Sequence, residues 1–173
     1  MDEVKVLTPI GCIGNRGIYR EAFLDALDTE KPDVIASDAG SLDEGPWYLG
    51  TGHAHSPMAN IYRDLELCIT EAVKRNIPLI IGTSGGSGAK PHVDLFLKTA
   101  KQIAEANKID FKVATIYSDV DKEYLIGRIR NGDSIKKVPT NIFGDNITEE
   151  QVNKWSNILG MKGVEPIIEA LKG

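Results

Sequence analysis

The chain of 173 residues predicts an α/β fold, with a doubly wound, mainly parallel sheet in a Rossmann-like three-layer arrangement. Two observations predict it. Short apolar runs alternate with longer segments whose apolar residues recur every three or four positions, which is the order of parallel strands joined by covering helices. Loops rich in glycine, histidine and aspartate follow those runs, at the strand ends where such sheets bind ligands. The whole chain, 1–173, reads as a single α/β domain, with β/α alternation and ligand loops over 1–145 and C-terminal helices over 146–173.

The first strand is expected at residues 4–10, followed by a loop with Gly11, Gly14 and Gly17 and a helix over about 18–28 that puts Phe23 and Leu27 on one stripe. Pro32 introduces a second strand at 33–37. A long loop, 38–55, leads to Ser56-Pro57, where Ser56 is placed to cap a helix and Pro57 to occupy its first position. That helix is the clearest in the chain, with Ile61, Leu65, Cys68, Ile69 and Ala72 on a continuous apolar face. A third strand, 79–81, runs into the glycine loop 82–88, and a helix follows with Val93, Phe96, Ala100 and Ile103 inward. Residues 111–117 read as a fourth strand. Ser118 and Asp121 have the spacing of a capping box for a helix ending at Gly132, and Thr148 and Gln151 form a second such box. The turn-rich stretch 133–146 has room for a short irregular strand, and two short helices close the chain. The β/α rhythm stops after the helix at 164–171, where another strand is expected, so the reading anticipates a fold completed by another polypeptide or by a longer chain, the alternative being a terminal helix that simply docks and ends.

Composition narrows the function classes. A formal charge of −5 offers no basic stripe for a phosphate backbone, and 6% aromatic residues are too few for a base-stacking platform, so nucleic acid is not an expected partner. No apolar run approaches the roughly 20 residues of a membrane span, and the first residues lack the pattern of a secretory signal. Cys12 and Cys68 belong to no C-x-x-C pair, which fits a reducing compartment, and the expected location is the cytoplasm.

The residues with chemical potential fall on the loops after the strands. In 82–88, Gly82, Gly85, Gly86 and Gly88 let backbone amides approach a ligand, while Thr83, Ser84 and Ser87 supply hydroxyls and the next helix aims its positive end at the same place. The pattern is not a P-loop. A glycine turn that serves only tight packing is the structural alternative. Gly11, Gly14 and Gly17, with Asp38 after the second strand, partly match a dinucleotide-binding loop, although the spacing differs from G-x-G-x-x-G. Arg16 in that loop is either a forked clamp for a carboxylate or phosphate, or a solvated side chain.

All three histidines, His53, His55 and His92, fall in these loops and none in an apolar stripe. With Asp38, Asp43 and Asp94 they offer donors for a divalent metal, for which Asp38, His92 and Asp94 are the candidates, or for an acid/base pair. Spacing leaves the two open, and Asp94 alternatively complements the dipole of its helix. Cys12 is the plausible nucleophilic thiol or a buried spectator. Trp47 and Tyr48 are placed to shield the site as a lid or simply to pack their loop.

Four segments in order carry a family resemblance: Ser37-Asp38-Ala39-Gly40-Ser41 with the following Gly-Pro-Trp-Tyr-Leu-Gly-Thr-Gly, Ile81-Gly82-Thr83-Ser84-Gly85-Gly86-Ser87-Gly88, Asp121-Lys122-Glu123-Tyr124-Leu125, and Met161-Lys162-Gly163-Val164-Glu165-Pro166-Ile167-Ile168. Together they resemble the N-terminal part of the acyclic terpene utilisation (AtuA) family. The resemblance implies a catabolic component associated with branched acyl or carboxylic acid degradation, in a polypeptide that normally continues past the equivalent of Gly173.

The resulting expectation is an enzyme subunit acting on a small carboxylate or acyl thioester, by addition or removal of water. The glycine loop and Arg16 hold the anion, one of the histidines moves the proton, and Asp38 orients it or binds a metal. The alternatives are a binding or assembly subunit that needs a partner chain, and a nucleotide-binding module. A homo-oligomer or a second chain is the expected cover for an open sheet edge.

Overall fold

In the computed structural model, which describes residues 3–41, 45–141 and 144–173, three parallel strands form the central sheet: β1 (Val6–Leu7), β2 (Val34–Asp38) and β3 (Leu79–Gly82). Helix α1 (Arg20–Thr29) joins β1 to β2, and β2 reaches β3 through the short α2 (Trp47–Thr51) and the long α3 (Met58–Arg75). The register sets Val6 beside Val34 and Leu7 beside Ile35, then Ile35 beside Leu79 and Ser37 beside Ile81. Because side chains alternate across a strand, Leu7, Ile35, Leu79 and Ile81 share the face that packs into the core. Val6, on the opposite face, is 58% exposed. The strands follow chain order, with no reversal among the described residues, so the loops are not gathered by a crevice at a reversal point.

Helix α3 organises the core. Its buried residues Ile61, Asp64, Leu65, Leu67, Cys68, Ile69, Glu71 and Ala72 cover about 200° of its circumference at 3.6 residues per turn, far more than a surface helix hides. One flank meets β2 and β3 and another meets α4 (Lys90–Asn107), whose Phe96 and Ile103 join the same apolar cluster as Phe23 and Leu27 of α1. Arg75, at the end of α3, pairs with Glu71 on its own helix and with Asp28 of α1.

Past α4 the structure departs from the expected rhythm. Residues 111–117 run on without joining the sheet, and most of their side chains are exposed, so the expected fourth strand is absent from it. The backbone instead bonds further on, where Val120 donates to Ile158 O and Gly160 donates to Ser118 O across an isolated antiparallel bridge at Asp119 and Leu159. The helix α5 (Lys122–Arg130) is capped by Asp121, whose carboxylate accepts from Tyr124 N at 2.9 Å, and Ser118 plays no part in that cap. Ser56 likewise does not cap α3, where Pro57 stands at the cap position, whereas the Thr148 and Gln151 box at the start of α6 (Glu149–Lys154) forms in both directions. The turn-rich stretch forms an antiparallel pair, β4 (Lys136–Asn141) with β5 (Gly144–Asn146), and α7 (Glu165–Lys172) follows α6. The first strand is also shorter than expected: among the described residues its ladder with β2 pairs Val6 and Leu7.

Cys68 lies wholly inside the cluster, and burial, reinforced by the nearby Asp64 carboxylate, pushes its thiol up to about 12. Cys12 is half-buried on its loop. Titration of the native protein with a thiol reagent is therefore expected to find one reacting cysteine, Cys12, with Cys68 joining only on unfolding. Equal reaction of both thiols in the native protein would contradict this placement of α3.

Candidate functional site

The loop after β3 is folded by backbone conformations that side chains seldom adopt. Thr83 sits in the left-handed region at φ 44°, and Gly85, Gly86 and Gly88 follow with φ 70°, 134° and 72°. These reversals roll residues 83–88 into a tight turn in which Gly86 N donates to Thr83 O at 3.2 Å and Gly88 N to Ser84 O at 3.1 Å. Among the described residues, the amides of Ser84 and Gly85 donate to no acceptor.

Behind this turn stands His92, on the first turn of α4 and fully buried. Its Nε2 lies 2.8 Å from the carbonyl oxygen of His53, and its Nδ1 lies 3.0 Å from Ser87 Oγ. A carbonyl can only accept, so the ring proton is on Nε2. In the neutral imidazole Nδ1 is then the acceptor, and the Ser87 hydroxyl donates to it. A hydroxyl, a histidine and an orienting acceptor thus stand in line, the arrangement that raises the nucleophilicity of a serine. Ser87 is half-buried, so the base is reached through the hydroxyl.

The other loops are drawn to this turn by their backbones. Ala39 N donates to Gly82 O at 2.9 Å, and Ile13 N donates to Asp38 O at 2.8 Å, which ties the first loop to the second. Gly40 runs so close to the third loop that a Cβ on it would lie 2.4 Å from Gly86 O and 2.6 Å from Thr83 O. The stretch before α3 closes the other side, with His55 N donating to Gly85 O at 2.8 Å. Above it, the Trp47 ring tilts against His53 at 5.5 Å and the Tyr48 ring meets His55 edge-on at 5.4 Å. The aromatic pair therefore packs on the histidines.

Several sequence expectations change in this geometry. The histidines do not act as equivalents: His53 offers its backbone carbonyl while its side chain is exposed, and His55 Nδ1 lies 3.1 Å from the neighbouring Ser56 Oγ. His92 is no loop residue. It heads the buried stripe of α4 with Phe96, Thr99 and Ile103. The metal candidates do not converge. Asp38 is exposed and accepts from Ala39 N at 2.7 Å, both His92 nitrogens are engaged, and Asp94 pairs with Lys90 at 2.6 Å and accepts from Tyr117 at 2.7 Å. The bond from Lys90, then that from Tyr117, holds the Asp94 carboxyl below its ordinary value. Among the described residues, no three His, Cys, Asp or Glu side chains group as a metal site, and Asp43 lies outside those residues.

The first loop is also rearranged. Gly14 is buried against Ser56 and Ile61, and its amide donates to the Asp64 carboxylate at 2.9 Å, so it packs and does not face a ligand. A carboxylate in that place disfavours a diphosphate. Gly11 and Arg16 are exposed. The positive end of α4 is already answered by Asp119, whose carboxylate accepts from Lys90 N at 3.2 Å.

Asp64 was missed by sequence reasoning, as was the His53 carbonyl. Asp64 left a signal, since it interrupts the apolar stripe of α3 one turn after Ile61, and a carboxylate there needs donors. It finds them in Gly14 N and Arg63 Nε, the latter at 2.8 Å. A cleft of about 390 Å³ lined by Arg20, Arg63, Asp64 and Asn107 lies on this side, and neither Ser87 nor any histidine lines it. Comparison with family models, with curated proteins and with solved structures gives no match to this chain.

The close approach at Gly40 can be tested by stability. Gly40→Ala must displace two backbone carbonyls and is expected to cost roughly 2–3 kcal/mol, whereas Gly11→Ala, with nothing within 4 Å, is expected to stay within about 0.5 kcal/mol. Urea unfolding of both variants, read as a change in midpoint at constant slope, checks the pair.

Proposed function

We propose that this chain is an enzyme subunit that binds a small carboxylate or acyl thioester over the loops after β1, β2 and β3 and moves a proton on it through Ser87 and His92. The observation that carries the reading is the line from Ser87 Oγ to His92 to the His53 carbonyl, set under a glycine turn. In such a line the hydroxyl meets the ligand, the buried imidazole takes or returns the proton, and the carbonyl fixes the tautomer that makes this possible. The amides of Ser84 and Gly85, with Arg16 from the first loop, supply donors for a carboxylate or a thioester oxygen. Trp47 and Tyr48, resting on His53 and His55, limit water on one side.

The resemblance of four ordered segments to the acyclic terpene utilisation family supports the same substrate class, and in this reading the sheet is the Rossmann-like core of a catabolic protein. Addition or removal of water is within reach of one hydroxyl and one base. A nucleotide is disfavoured by Gly14, whose amide is committed to Asp64.

Calorimetric titration with isovalerate and with acetyl-coenzyme A tests the reading, with adenosine monophosphate as the contrasting ligand. Binding of the carboxylate or the thioester is expected, weakened about tenfold or more by Arg16→Ala, because a hydrogen bond to a charged group contributes about 1.5–3 kcal/mol. A chain that takes the nucleotide and neither of the others would sink the reading.

A further inference from the structure

We propose that Ser87 is an acyl-accepting nucleophile and that the chain cleaves acyl thioesters through an acyl-serine intermediate; this rests on the substrate class proposed above. Three hydroxyls lie on the glycine loop, and only Ser87 is given a base. Its Oγ stands 3.0 Å from His92 Nδ1, whereas among the described residues Thr83 and Ser84 have no imidazole partner. The tautomer is fixed by an acceptor that cannot donate, the His53 carbonyl at 2.8 Å from Nε2, so Nδ1 is free to receive the hydroxyl proton. His92 is wholly buried and touches solvent chemistry through Ser87, which makes proton transfer from bulk water a poorer use of this base than activation of the hydroxyl.

The step balances without any co-reactant except water. Ser87 Oγ forms a bond to the thioester carbonyl carbon as its proton passes to His92 Nδ1, and the carbonyl electrons move to oxygen. The carbonyl re-forms, the carbon–sulfur bond breaks, and the thiolate leaves with the proton from Nδ1. Water then attacks the acyl-serine, giving its proton to Nδ1, and Ser87 Oγ departs and takes that proton back. One thioester and one water yield one carboxylic acid and one thiol. The carbonyl orienter carries no full negative charge, so it holds the ring but stabilises the imidazolium less than a carboxylate does, and the acyl-enzyme is the species to look for.

The experiment exposes the native chain to p-nitrophenyl acetate and follows intact mass and peptide maps. One acetyl group per chain on Ser87 is expected, absent in Ser87→Ala and formed about a hundredfold or more slowly in His92→Gln, the scale of a lost general base. Ser87→Ala changes one half-buried atom, so it keeps the test valid even where His92→Gln does not fold, and circular dichroism verifies each variant. Acetylation that maps to Cys12 or to lysines, or that persists in Ser87→Ala, overturns the proposal. Native protein that binds isovalerate by calorimetry yet gains no acetyl group overturns the nucleophile alone. Acetylation of Ser87 without binding of either carboxylate or thioester would uphold the nucleophile and reject the ligand class.

Discussion

A buried imidazole holds the loops of this protein in place. His92 is closed off from solvent and makes one bond to the loop after β3, through Ser87, and one to the stretch before α3, through the His53 carbonyl. A polar ring in an apolar helix stripe is tolerated only when its nitrogens are paired, since an unpaired buried polar group costs about 1–3 kcal/mol. The requirement works in both directions. The ring needs those two loop positions, and the loops, with their left-handed residues, need a fixed post to fold against. Gly85 reflects the tightness of the fit, because a Cβ there would lie 3.0 Å from the His92 Cβ.

That constraint also explains why the loops meet although the strands show no reversal. In a sheet whose order is simply β1, β2, β3, nothing in the topology draws the strand ends together. Backbone-to-backbone bonds do it here, from Ile13 to Asp38, from Ala39 to Gly82, and from His55 to Gly85. Each joins one loop to the next. Such contacts demand small residues at the crossings, which is why Gly40 abuts the carbonyls of Thr83 and Gly86, and why Gly14 lies against Ser56 and Ile61. Several glycines that read as ligand contacts are therefore the means by which loops come within bonding distance of each other.

The α/β character, the parallel pairing and the long helices were legible because each rests on periodicity over many residues. α3 repeats its apolar positions through five turns, and no loop chemistry competes with that pattern. Residues 111–117 misled for the opposite reason. Their composition suits a strand, but a strand is a pairing, and the sequence does not say whether a partner edge is within reach. Caps were legible where the two side chains bond each other, as at Thr148 and Gln151, and illegible where a neighbouring residue competes, as with Asp121 against Ser118. At the candidate site, the sequence brought forward the glycine loop and His92 but gave that histidine a loop setting, where the structure buries it on the first turn of α4. Which ring nitrogen is occupied, and by what, depends on a backbone carbonyl 39 residues away, and no spacing rule reaches that far.

The location of the charges follows from the same argument. Asp64 and Asp119 both answer backbone amides that the glycine-rich segments and the start of α4 leave exposed, one at Gly14 and one at Lys90. Each carboxylate removes a place where an external anion would otherwise bind. The loop after β3 differs because the amides of Ser84 and Gly85 have no such internal answer among the described residues. On the proposed reading, binding and reactivity gather at this loop, beside Ser87 and His92. In that reading the two aspartates that close alternative positions select the ligand as much as the residues that would touch it.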